Sequence, residues 1–504
     1  MFFLLGLIIP LLSYLLQTYP RLFNKYFGVD VWTRMIEAEY FRKNNHKLPL
    51  EKISGGFILD GYLNYPPALP WMLSFIPKGV VFKIQGFIAP LFDIIQNYLV
   101  FLITLQLTNR LEAALLSQAI YASIPLTILE NSYLTPRSMG YLNFTLAFYP
   151  IILYTLAPNL LYLTIGLIFL IILFFTHKFA LQSLFFISIF FSIIEKNPFY
   201  LLLFFTGMGL AIAISKGYYL RILRGHIDNI LFWVKNYHYR FAHQVRGLVP
   251  PKKIDLVGKI YKLLGTFSPV TLIGTNLWII IPIALLIANY FHIPIASTSL
   301  YSLNDPLMIK MSVWVIFFYL FSILVLTIKP LTPIGEGQRY MEMSIAPTAI
   351  ISAIAFFALS GSPYKNIAIP GYIVIFITNI ALTIFLQIKG IIADKNRTMT
   401  KDMNQVFKLL NKLKPQPRIL CIPHQITTMV LYNTRAKVMV EIQAGHLGRI
   451  NDIFPIIKKP IRELAKKYNL NILVLKKDYA NSKELNLNSK SLLLETATTQ
   501  VFKI

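Results

Sequence analysis

Acid is scarce in this chain and cysteine almost absent. Of 504 residues, 22 are Asp or Glu and 48 are Lys or Arg, for a formal net charge of +26. Only 14% are charged at all, against about 25% in an average soluble domain. So little charge excludes an ordinary water-soluble surface. The single cysteine, Cys421, excludes an intramolecular disulfide and a four-cysteine zinc site. Eight histidines are scattered along the chain. None falls in an H-E-x-x-H, which excludes the zinc-protease helix. The polar C-terminal part has no G-x-G-x-x-G, so no nucleotide site is read there. There is no internal repeat and no low-complexity tract.

What is present is apolar. Hydrophobic residues make up 56% of the chain and the mean hydropathy is +0.59. These values indicate a polytopic membrane protein. A basic excess in such a protein meets phospholipid headgroups or phosphorylated lipid carriers. Membrane lipids are therefore expected partners, and nucleic acid is not. Residues 2–17 lack a basic leader and a small-residue cleavage site, so they read as a retained helix. Further apolar spans are expected near 87–107, 111–130, 138–157, 159–176, 179–195, 198–214, 269–290, 309–328, 344–361 and 368–388. That makes eleven. The fold class expected is an all-α polytopic membrane domain over 1–390 with a small C-terminal soluble α/β domain over 391–504. In the latter, 418–423, 437–442 and 471–476 read as strands and 455–468 as a helix.

Two long loops interrupt the spans. The first, 19–86, holds Asp30, Glu37, Glu39 and Asp60, then Tyr65-Pro66-Pro67 ahead of an amphipathic run. A carboxylate just past a span can stay hydrated and still reach a lipid headgroup. Asp30 precedes a helical run over 32–43, so from residue type alone it suits an N-cap as well as a reactive acid. Asp60-Gly61 suits a turn equally. The second loop, 215–268, is basic; Ile227, Ile230, Leu231 and Val234 recur at helical spacing, as in a helix lying in the membrane interface.

Other polar residues stand at the ends of spans. Arg137 follows Thr135-Pro136 and reads as a phosphate fork or as a snorkelling anchor. His177-Lys178 separates two apolar runs, as a turn or as a polar patch facing a site. The run Gly335-Glu336-Gly337-Gln338-Arg339-Tyr340-Met341-Glu342 leads straight into an apolar span. It reads as a phosphate site or an interfacial anchor. His424, Gly445 and His446 have no ligand spacing and read as loop or helix-start residues.

The order of features in the first loop resembles the GT-C glycosyltransferases. A first span is followed by G-x-D-x-W (Gly28, Asp30, Trp32), an amphipathic helix and Y-P-P-x-x-P-W (Tyr65 to Trp71). Protein O-mannosyltransferases and lipid A aminoarabinose transferases belong to this superfamily. The Arg339-Tyr340 entry to a span is similar to the family's R-Y-x-x-x-x-x-P. The resemblance implies transfer of a sugar from a polyprenyl-phosphate donor to a lipid, glycan or protein hydroxyl, with inversion at the sugar carbon. It implies that Asp30 is the catalytic base. Asp60 is a second acid, placed further from Pro66-Pro67 than the family's usual one. Arg137, Lys178 and Arg339 are implied at the donor phosphate, with His177, Tyr65, Glu336 and Tyr340 lining the substrate. No cofactor is required by the sequence, and a divalent metal has no ligand set assigned. The family's arrangement puts the active face and C-terminal domain outside the cytoplasm, at the plasma membrane. The alternative is a transporter or flippase for a polyprenyl-linked lipid, which would use the same basic faces without chemistry.

Overall fold

A computed structural model describes residues 2–53, 55–240, 242–248, 274–291, 305–395, 397–439 and 447–504. They form two compact units, each built from separated stretches of chain. The first takes residues from 1–24, 86–214 and 254–393, and the second from 25–85, 215–253 and 394–504.

The first unit is helical. Among the described residues, six helices are long and apolar enough to cross a membrane: Phe3–Phe23, Lys78–Thr108, Arg137–Leu156, Pro306–Thr327, Gln338–Ser360 and Lys365–Ile392. Four more, Leu160–Phe174, Lys178–Ile194, Phe199–Ile214 and Leu277–Tyr290, are apolar but shorter. The span expected over 111–130 is divided into Leu111–Ala122 and Pro125–Glu130. Proline has no N–H to continue the helix and drives the residue before it out of the helical region. Ile124 is accordingly extended, at φ −75° and ψ 115°. The second long helix starts at Lys78, well before the expected 87.

An aromatic core joins two of the spans. The Phe144 and Phe148 rings lie 5.6 and 5.0 Å from Trp314. Trp314 Nε1 donates to the Met343 carbonyl at 3.0 Å, which fixes the turn just ahead of Ile345–Ser360. A buried carboxylate, Asp93, ties four helices together. It accepts from Tyr121 O–H at 2.6 Å, from Gln17 Nε2 at 2.5 Å and from Tyr141 O–H. An ionisable group inside an apolar helix persists only when partners satisfy it, and here three do.

The second unit is mixed. Its sheet comprises β1 (Arg418–Ile422), β2 (Lys437–Val438), β3 (Ile472–Lys476), β4 (Leu492–Glu495) and β5 (Thr499–Lys503), in the order β2-β1-β3-β5-β4. β1 runs parallel to β2 and β3, and β5 runs antiparallel to β3 and β4. The helix expected over 455–468 spans only Ile461–Tyr468. Pro460 stands just before it, where the missing N–H costs nothing. β2 is not left as a bare edge. Val438 N–H donates to the Gly56 carbonyl at 2.9 Å and Ile58 N–H to the Val438 carbonyl at 2.7 Å. The acidic first loop thus covers an edge that would otherwise invite pairing with another chain. The basic loop forms the helix Tyr218–Asn236, which buries Ile222 and Phe232 and leaves Ile227, Leu231 and Val234 exposed. Gly445 and His446 lie outside the described residues, as does the basic loop beyond 248.

Candidate functional site

The proposed acids sit in the second unit. The helix that carries them runs Asp30–Lys43, so Asp30 occupies its first turn. The capping position falls to Val29, which makes no side-chain capping bond. An acid in the first turn suits the positive end of the helix dipole. Helical spacing puts Arg34 and Glu37 on the same face as Asp30. Arg34 and Glu37 are both buried, paired at 2.5 Å. The Arg34 guanidinium also lies over the Tyr65 ring, 4.0 Å from its centroid. Burial pushes the Glu37 carboxyl up to about 7; the Asp30 charge adds to this and Arg34 opposes it. Tyr218 interacts electrostatically with Glu37 and donates its O–H to the Leu63 carbonyl at 2.9 Å. Asp30, Tyr65 and the basic helix are therefore linked through Arg34 and Glu37. Asp60 is apart from this group. It is exposed, and its main-chain carbonyl accepts Arg449 Nη1 at 2.6 Å.

The proposed cations sit in the first unit, each near the start of a helix. Arg137 begins Arg137–Leu156, Lys178 begins Lys178–Ile194, and Arg339 falls at the start of Gln338–Ser360. A cation there opposes the helix dipole, so each needs an anion or an aromatic face nearby. Arg137 is paired with Glu130 and, at 3.1 Å, with Glu342 Oε1. Its side chain is 6% exposed and that of Glu342 1%. Arg339 is paired with Glu336 Oε2 at 2.7 Å, with side chains 23% and 25% exposed. Arg339 interacts electrostatically with Arg137 and Glu130 as well, so the two arginines and three glutamates form one cluster. Phe179 gathers the remaining cations: Arg339 lies 4.7 Å and Lys178 5.2 Å from its centroid. Such contacts are worth roughly 0.5–2 kcal/mol.

Tyr340 and His177 are both buried. Tyr340 O–H donates to the Ile334 carbonyl at 2.8 Å, Gln182 Oε1 stands 3.1 Å from the same hydroxyl, and the ring meets Phe179 edge-on. His177 packs on Gly140, where a Cβ would stand 2.7 Å from that of His177. In the C-terminal part, His424 is buried, and burial pushes its pKa down to about 4. Among the described residues no three His, Cys, Asp or Glu side chains converge to hold a metal ion.

Sequence reasoning gave Glu37 and Glu130 no role and did not note Asp93. The spacing of Asp30, Arg34 and Glu37 on one helix face was a usable signal for Glu37. An acid inside the apolar run 87–107 was one for Asp93. Glu130 had none, because its partner lies in another helix.

No known protein family matches the sequence, and no curated protein matches it. The fold does have counterparts among solved structures. It is similar to ArnT from Cupriavidus metallidurans bound to undecaprenyl phosphate, at 11% identity and a TM-score of 0.55, over 99% of this chain and 97% of that one. The apo form of the same ArnT gives 10% identity and a TM-score of 0.44 over the same shares. The likeness is thus one of fold, and it extends over nearly the whole chain.

Proposed function

We propose that this protein is an integral-membrane glycosyltransferase that takes a sugar from a polyprenyl-phosphate donor. The observation that carries this reading is Arg339. It is a guanidinium about a quarter exposed over the Phe179 ring, with Lys178 at the same ring, at the start of a spanning helix. A planar fork of donors suits the charged oxygens of a phosphate ester. The fold likeness to an ArnT bound to undecaprenyl phosphate supports the same ligand class.

In this reading the acceptor is a lipid, glycan or protein hydroxyl. Asp30 takes its proton as the oxygen attacks the sugar carbon from the side opposite the phosphate. The bond from that carbon to the phosphate oxygen breaks, the polyprenyl phosphate departs, and configuration inverts. General-base help of this kind contributes about 10²–10⁴-fold. Arg339 and Lys178 offset the charge on the leaving phosphate, and Arg137 supports them from within the buried cluster. Tyr65 and His177 shape the substrate side. The reacting face and the C-terminal part lie outside the cytoplasm, at the plasma membrane.

The test is direct. Purified protein is incubated with a panel of radiolabelled polyprenyl-phosphate sugars, and transfer or slow hydrolysis is measured. Carriage of those lipids across vesicles with no turnover of any sugar would favour a flippase and overturn the enzyme reading.

A further inference from the structure

The Gly335–Arg339 turn contains more than a phosphate ligand. Glu336 Oε2 accepts from Arg339 Nε at 2.7 Å and stands 2.7 Å from Nη2 of the same guanidinium. Those two N–H groups are one edge of the arginine fork, the edge that would hold two phosphate oxygens. A carboxylate oxygen already stands where the ligand would bind. Among the described residues Arg137 is held by Glu130 and Glu342 and Arg339 by Glu336, so a phosphate entering the Arg339 fork meets a carboxylate there. Glu342 is sealed at 1% exposure, whereas Glu336 is 25% exposed and within reach of water.

The backbone around Glu336 is built for this. Gly335 has φ +156°, and a Cβ on it would stand 2.3 Å from the Phe179 ring. A Cβ on Gly337 would stand 2.3 Å from the Ser322 carbonyl. Both flanking positions are therefore closed to side chains, and Glu336 projects between them.

We propose that Glu336 is a placeholder counter-ion: it occupies the Arg339 fork until a lipid phosphate displaces it. The inference rests on the reading of Arg339 as a phosphate ligand. The placeholder keeps the Arg339 cation neutralised between turnovers and sets the affinity for the carrier. A pair this exposed is worth at most a factor of about five.

The experiment measures binding of undecaprenyl phosphate, dioleoyl phosphatidate and undecaprenol to the full-length protein in detergent micelles. Wild type is compared with Glu336→Gln, Glu336→Ala, Arg339→Ala and the double variant Glu336→Gln/Arg339→Ala. Glu336→Gln and Glu336→Ala are expected to bind undecaprenyl phosphate about three- to fivefold more tightly. The gain should vanish in the Arg339→Ala background. An equal gain for phosphatidate would also support the placeholder, and would identify any lipid phosphate monoester as the ligand. Unchanged or weaker binding in both Glu336 variants, with Arg339→Ala still impaired, would overturn the placeholder and leave the phosphate reading standing. Unimpaired binding by Arg339→Ala would overturn both. A gain for undecaprenol, which has no phosphate, would overturn the placeholder as well.

Discussion

Arg137 and Arg339 look alike in the sequence, yet their removal should have very unequal consequences for stability. Arg137 is 6% exposed between Glu130 and the fully sealed Glu342. Replacing it by methionine leaves the Glu342 carboxylate buried without its cation, and breaking a buried pair this way costs about 3–5 kcal/mol. Arg339 and Glu336 are each about a quarter exposed. Water reaches both, so the loss on Arg339→Met should stay under about 1 kcal/mol. Thermal unfolding in detergent micelles can follow this through tryptophan emission. Trp314 is a suitable reporter, since its indole is buried and bonded to the Met343 carbonyl beside Glu342. We expect Arg137→Met to unfold well below wild type and Arg339→Met close to it. The double variant Arg137→Met/Glu342→Met should recover much of the loss, because it removes the stranded charge along with the cation. Equal melting of the two single variants would refute the distinction between a structural arginine and a ligand-facing one.

Three further expectations can be checked alongside. Asp30→Asn should abolish sugar transfer while leaving melting and carrier binding near wild type, since an amide cannot take a proton at neutral pH; near-normal turnover would remove Asp30 as the base. Glu37 has a folded pKa of about 7 against an ordinary value of 4.5, so its contribution to stability is fully present below about 4.5 and is lost as pH rises through about 7. Melting should therefore fall between pH 5 and 8, and Glu37→Gln should flatten that slope; an unchanged slope would show that another group titrates. Gly337→Ala meets the Ser322 carbonyl, a backbone atom that cannot swing aside, and should cost roughly 1–3 kcal/mol, whereas Gly209→Ala has open space around it and should melt at or above wild type.

Most of the helical part was legible because apolar runs long enough to span a membrane are read directly from composition. The strands β1 and β3 were legible for the same reason, as short apolar runs between turn residues. β4 and β5 were not read; in β5 Val501 and Phe502 are buried side by side, so its sequence shows no alternation to read. The division at Pro125 was present in the sequence but outweighed by the hydropathy around it. The site was read as residue types and not as pairs. Asp30, Arg137 and Arg339 stood out as charges beside apolar runs. Their partners Glu130, Glu336 and Glu342 set what each cation can do, and the Arg137–Glu342 pair spans 205 residues of chain. Local periodicity carries no information over that distance.

The pairing of the first loop with the C-terminal sheet bears on how this protein is made. Arg449 bonds the Asp60 carbonyl across 389 residues of chain, and the Val438 edge pairs with Gly56 and Ile58 over a similar distance. At about 5–20 residues per second of synthesis, those 389 residues take roughly 20–80 s to follow. The edge formed by Gly56 and Ile58 in the segment bearing Asp30 must therefore wait until Val438 and Arg449 have emerged. Maturation of the acid-bearing loop is a late event in biogenesis, and the interval before it is when a folding chaperone at the membrane surface would matter most.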